Sequence, residues 1–265
     1  MLSPVTTKRD HDTNGLVADA LPTPGAAGLW AQLSAWPRKA FVFWAFAAQL
    51  TVVMLSARSY TRSAGLQVMQ QIVSASVVLL PGFMVLSALM SVVLVRIVLA
   101  AADELGVSQF ALNLLIRTLV LELLPLVAAG FVALRYSLPA ANALAQQPER
   151  GTAQNLAPYS IASVFAVLLL AVSSAVVASV IAYVSVYGLS FWGLASFNAL
   201  IAQIFTPTVM LVLVVKTLCS AVAVAVVPFG AVLMYQTQRS DLGVFARLVA
   251  LLLLIELLSL LGNYY

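Results

Sequence analysis

Of the chain's 265 residues, 63% are aliphatic or aromatic and only 8% are charged, and the mean hydropathy is +1.05. No water-soluble domain needs so apolar a composition for its core, which leaves an all-α polytopic membrane protein. The formal net charge of +4 comes from basic residues scattered beside apolar runs, where retention at the cytoplasmic face and contact with anionic lipid explain them better than nucleic acid would.

Residues 1–28 are polar, contain Pro and Gly, and carry Lys8, Arg9, Asp10 and Asp12, so they read as a disordered cytoplasmic tail rather than a cleavable signal peptide. His11 lies in this tail with no partner at metal-ligand spacing, and no metal site is expected. The rest of the chain, 29–265, reads as the membrane domain. Residues 29–60 hold Trp30, Trp36, Phe41, Phe43, Trp44 and Phe46, with Arg38 and Lys39 before the apolar core and Arg58 and Arg62 after it. That core, from Ala40 to Leu55, is short for a span, which needs about 20 residues, so an interfacial elbow helix returning to the cytoplasm is expected, with a tilted span as the alternative.

Five spans follow. The first covers about 71–102, with Pro81 and Gly82 expected to break or kink it, Arg96 near its far end, and Asp103-Glu104-Leu105-Gly106 as an exposed turn. The second covers about 110–138 and ends at Pro139. It contains Glu122, then Pro125, an expected kink, and then Arg135, thirteen residues after the acid. A polar connector from Asn142 to Asn155 includes Gln146, Gln147, Glu149 and Arg150. Residues 158–187 form a third span without charge, 188–198 a Gly- and aromatic-rich turn, and 199–234 a fourth apolar stretch interrupted by Pro207, Lys216 and Pro228. After a polar loop at 236–241, the last span, 242–261, holds Arg247 and Glu256. The only cysteine, Cys219, excludes an internal disulfide and, lying in an apolar run, is expected to be a buried, inert thiol.

With the tail inside, the cytoplasmic segments collect Lys8, Arg9, Arg38, Lys39, Arg58, Arg62, Arg150 and Arg239, while the opposite face receives Asp103 and Glu104. The positive-inside rule then puts the C-terminus outside.

Ionisable groups at membrane depth are costly and tend to face a protein interior or a water-filled cavity. Glu122 and Arg135 are separated by roughly 20 Å along a helix and so cannot pair with each other. Glu122 either fixes helix packing through another partner or forms part of a polar ring near a transport path. Lys216 is deep enough to pair with Glu256 or with Glu122. Arg135 and Arg96 are placed to snorkel to the cytoplasmic and outer interfaces, respectively. The chain has no Walker motif, no Gly-rich phosphate loop, and no Ser/His/Asp or Cys/His constellation, so an enzymatic role and a bound cofactor are not expected.

The helix with Glu122, Pro125 and Arg135 resembles the signature helix of the MlaE/YrbE-type permeases, the membrane subunits of MCE-associated ABC lipid transporters. The stretch from Gln70 to Ala101 behind an aromatic-basic segment, the Lys216-Thr217 pair, and Glu256 in the last span extend the resemblance. Leu121 and Leu124 stand where the family usually has Arg and Gly, and the interval from Arg135 to Pro158 is shorter than the family's coupling segment. The resemblance implies a homodimer in the bacterial inner membrane, with its N-terminus cytoplasmic and its C-terminus periplasmic. Two cytoplasmic ABC ATPases would contact Gln146, Gln147, Glu149 and Arg150, and an MCE-domain protein would sit on the periplasmic side. A phospholipid would be held in a pocket lined by the Pro81-kinked helix and the Glu122 helix. A scaffold or assembly subunit that does not itself transport is the alternative reading.

Overall fold

The computed structural model describes residues 62–105, 113–146, 153–234 and 241–264. Every element among them is helical: α1 (Arg62–Ser76), α2 (Leu80–Leu105), α3 (Asn113–Ala145), α4 (Ala153–Tyr187), α5 (Leu194–Ile204), α6 (Pro207–Met234) and α7 (Asp241–Tyr264). Five stretches are long and apolar enough to cross a membrane: Gly65–Ala102, Asn113–Ala145, Asn155–Tyr187, Pro207–Val232 and Asp241–Gly262. The chain is thus an all-α multi-pass membrane protein. The tail at 1–28, the elbow at 29–60, Gln147, Glu149, Arg150 and the loop at 236–240 lie outside the described residues.

Proline sets most of the breaks. A turn at 77–79 separates α1 from α2, upstream of Pro81 rather than at it. Pro81 has no N–H for the Val77 carbonyl and its ring crowds that carbonyl, so the preceding turn opens and proline is left in the first turn of α2, where it is tolerated. In α3 the same conflict has a different outcome. The backbone widens to π-helix over Arg117–Leu123 and again over Ala133–Ser137, and each wide stretch ends two residues before a proline, Pro125 or Pro139. The Leu124 N–H reaches back to Leu119, and the Leu138 N–H to Ala133, five residues in each case. A longer turn accommodates the ring without ending the helix, so Pro125 marks a π-bulge.

Several expected boundaries move. The 199–234 stretch is two helices, because Thr206, preceding Pro207, is disfavoured in helical conformation; its carbonyl and hydroxyl then receive the N–H groups of Met210 (2.9 Å) and Val209 (3.5 Å) at the start of α6. Much of the expected 188–198 turn is helical, since α5 begins at Leu194. Gly188 closes α4 at φ 65°, a left-handed conformation that glycine adopts without a Cβ penalty, and its N–H bonds the Val184 carbonyl at 3.0 Å. Asp103 to Leu105 continue α2 instead of forming a turn. The connector after α3 begins later than Asn142, because Leu138–Ala145 stays helical, and Pro158 lies inside α4, which starts at Ala153. Pro228 is likewise inside a continuous α6.

The helix α4 is the hub, packing against α1, α2, α3 and α6, while α6 also packs on α3 and α7. Ala162, Ala166, Leu170, Ser174, Ala178 and Ala182 recur at every fourth position of α4 and are all buried. Small side chains at helical spacing allow close helix approach, and dispersion contacts then hold helices together where lipid is as apolar as the protein. Phe83, Ser87, Ser91 and Val95 form the matching buried face of α2, and the Phe83 ring lies 5.2 Å from that of Phe131 on α3. Polar ties fix the other end of α3: the Tyr136 hydroxyl donates to Gln71 (3.0 Å), the Ser137 and Ser163 hydroxyls bond at 2.9 Å, and the Asn142 amide donates to Asp241 (2.8 Å). Cys219 is exposed on α6, so the expected buried thiol is corrected: an apolar run in a membrane helix has a lipid side as well as a core side.

Candidate functional site

Three helices converge on one ammonium group. Lys216 of α6 forms an ion pair with Glu122 of α3 and another with Glu256 of α7, the latter at 2.7 Å, and donates to the Leu121 carbonyl at 3.0 Å. Lys216 and Glu122 are buried, and the Glu256 side chain is only 14% exposed. The sequence left Lys216 with two possible partners, and the fold brings it to both. Removing charge from water costs several kcal/mol per ion, so the cluster is weak evidence for stability. Loss of one member is another matter, since the remaining charges would be stranded in an apolar interior.

The acceptor at Leu121 follows from local sequence. In an α-helix that carbonyl would receive the N–H four residues on, which here is Pro125 and has none. Lys216 donates to it at 3.0 Å. Sequence reading passed over this carbonyl, although a proline four residues downstream is the signal that would have found it.

Beside the cluster lies a pocket of about 590 Å³ between α3, α4 and α6. Val120 and Pro125 line it from α3, flanking the Leu121-Glu122 step; Leu168, Val172, Val176 and Val180 line it from α4, and Met210, Leu213, Val214 and Thr217 from α6. Ser179 and Thr217 are its only hydroxyl-bearing residues, and both donate to carbonyls four residues back in their own helices, Ala175 (2.8 Å) and Leu213 (2.7 Å). Its lining is therefore apolar, with no free hydroxyl donor, and its volume falls in the range of about 300–1,000 Å³ usual for small-molecule sites. No residue of the Pro81 helix lines this pocket: Val85, Leu89 and Val93 of α2 are exposed, while the buried face of α2 packs on α4 and α3.

At the pocket end of the bundle, α5 packs Phe197 and Ile204 into a core with Leu115, Ile116, Leu119, Ala178 and Ala182. Tyr183, Tyr187 and Phe197 form an aromatic cluster with ring centroids 5.2–6.3 Å apart, the Tyr183 hydroxyl donates to the Ser190 carbonyl, and the protruding turn leaves Phe191 and Trp192 almost fully exposed.

The remaining sequence candidates are dispersed. Arg96 and Arg135 are exposed on α2 and α3, away from the cluster's buried contacts, as are Pro81 and Gly82. Gln146 is exposed just past α3. Arg117, half-buried in the π-helical stretch that carries Glu122, was not singled out from the sequence.

Residues 68–147 match the family model described as Permease MlaE. The matched segment runs from α1 to the end of α3 and holds Glu122, Pro125 and Arg135. No curated protein matches the chain.

Proposed function

We propose that this chain, an MlaE/YrbE-type permease and hence a membrane subunit of a lipid ABC transporter, moves phospholipid between the bacterial inner and outer membranes in concert with an MCE-domain protein. The observation that carries the proposal is the apolar pocket set against the Glu122–Lys216–Glu256 cluster. Acyl chains need apolar walls and no hydrogen-bonding partner, and this pocket offers such a surface. The cluster ties α3, α6 and α7 together beside it, so relative movement of those helices must either carry the three charged groups as a body or break buried ion pairs. The second route is costly. The cluster thereby holds these three helices in register.

In this reading the protein is a homodimer with its N-terminus in the cytoplasm and its C-terminus in the periplasm. ABC ATPase subunits contact the connector that holds Gln146, Gln147, Glu149 and Arg150, and the MCE protein meets the face on which Phe191 and Trp192 protrude. ATP binding closes the ATPases, displaces the end of α3, and narrows the pocket. Purification of the tagged chain from its native membrane tests the assignment. An ATPase and an MCE protein should co-purify, with phospholipid identified by mass spectrometry. A stable assembly that contains neither an ATPase nor bound lipid would overturn it in favour of a scaffold.

A further inference from the structure

Residues 188–206 join two of the helices long enough to cross a membrane and hold no charged side chain. Much of this stretch is α5, which buries Phe197 and Ile204 and exposes Ser196, Asn198 and Gln203. The turn before it does the opposite: Leu189, Phe191 and Trp192 are 89%, 87% and 94% exposed. These side chains do not hang on a loose loop. Gly188 reverses the chain at φ 65°, a conformation that costs glycine little. Ser190 is tied twice to the last turns of α4: its carbonyl accepts from the Tyr183 hydroxyl, and its hydroxyl donates to the Tyr187 carbonyl at 2.7 Å. Gly193 lies so close to Tyr187 that an added Cβ would come within 2.3 Å of the ring. That ring cannot readily yield, since it stacks on Tyr183 and meets Phe197 edge-on.

These ties hold the turn against the end of α4. Its apolar side chains there continue an exposed stripe of that helix, Val172, Val176, Val180 and Val184 at every fourth position. We propose that the turn at 189–192 is a docking surface for the lipid leaflet: Phe191 and Trp192 enter the boundary between headgroups and acyl chains and anchor the α5 end of the bundle at that depth. The end of a span is where that boundary falls, and an indole suits it, with its rings among the chains and its N–H among the headgroups. Lipid fits better than protein as the occupant, because the turn extends an apolar stripe along a membrane helix and has no charged residue beside it to pair with a partner. A protein on this side of the bundle still has the polar side of α5 to meet. Val172, Val176 and Val180 of the same stripe line the pocket, so the anchor also sets the level at which the pocket faces that leaflet.

The anchor needs the membrane-spanning fold but not the lipid-transport reading, and its test does not measure transport. In the full-length chain, Trp30→Phe, Trp36→Phe and Trp44→Phe leave Trp192 as the only indole. This protein is reconstituted in vesicles of phosphatidylethanolamine and phosphatidylglycerol that carry bromine either high on the acyl chains or near their methyl ends. Trp192 emission should fall most with bromine high on the chains, less with bromine near the methyl ends, and least with iodide in the water on both sides. In the otherwise wild-type chain, the quenching lost on Trp192→Phe should follow the same order, which covers the case in which the triple variant does not fold. Quenching by iodide but by neither lipid would put the turn in water, and insensitivity to all three would put it beneath protein. Either result overturns the anchor, as does strongest quenching from the methyl ends. The depth-setting role is read from a fluorophore on Val180→Cys in a Cys219→Ser chain. Adding Phe191→Ser and Trp192→Ser should flatten the difference between the two bromine positions, and a folded chain that keeps the original difference would overturn that role.

Discussion

The two halves of α6 are built on different terms. Before Lys216, the residues Met210, Leu211, Val214 and Val215 are exposed, and Met210 and Val214 line the pocket. After it, from Ala223 to Val232, every residue is buried. Both halves are strongly apolar, so hydrophobicity does not distinguish them. Side-chain size does: Ser220, Ala221, Ala223 and Ala225 let neighbouring helices approach closely, whereas the first half carries mostly Val, Leu and Met and leaves a space of about 590 Å³ along α3 and α4. Lys216 stands at the boundary. The packed half provides the rigid surroundings that a buried ammonium with three fixed acceptors requires, and the open half provides room for a ligand.

The largest effect should come from the boundary itself. Lys216→Met leaves two carboxylates without their cation and is expected to destabilise the protein by about 3–5 kcal/mol, seen as loss of monodisperse protein in detergent. Wild-type yield and melting behaviour would show that the cluster is not needed to hold the halves together. Next comes overpacking. Ala225→Leu places three extra carbons where exposure is 0% and should cost about 1–3 kcal/mol, whereas Leu211→Ala in the open half should stay within about 0.5 kcal/mol. Similar shifts for both would erase the contrast drawn here. Glu122→Gln keeps an acceptor oxygen for Lys216 and removes a charge, so lipid transport should fall more than the amount of assembled protein does. Equal losses in both assays would reduce Glu122 to a packing role. The smallest effect belongs to Asn142→Ala, which removes a solvent-exposed hydrogen bond to Asp241 between α3 and α7 and should cost no more than about 1 kcal/mol. A shift in melting temperature beyond that range would give this tie a larger structural share.

The number and character of the spans were legible because length and hydropathy decide them, and the breaks near Pro81 and Pro207 were legible because a missing N–H acts locally. The depth of Lys216, together with two carboxylates on other spans, was enough to name its partners. What could not be read depends on which helix meets which. Cys219 is exposed rather than buried because the outward face of α6 is set by its neighbours. The pocket between α3, α4 and α6 takes one wall from α4, an uncharged span that carries no sequence signal of function. The π-helical stretches were also hidden. A proline inside an apolar run announces a conflict with the helix, but whether the backbone breaks, as before Pro81, or widens, as before Pro125, is decided by packing: α1 and α2 leave many side chains exposed, whereas α3 is held between α4 and α6.

The central claim is that the pocket between α3, α4 and α6 holds the lipid. Val176 and Val214 line it from opposite helices and are 59% and 51% exposed, so tryptophan at either position fills space without displacing core packing. Lipid retained by purified Val176→Trp and Val214→Trp, counted by mass spectrometry against wild type at matched melting temperature, tests the claim most directly. Folded variants with most of the bound lipid gone are the expected result. Folded variants that retain the wild-type amount of lipid would contradict the account and place the lipid path elsewhere in the bundle.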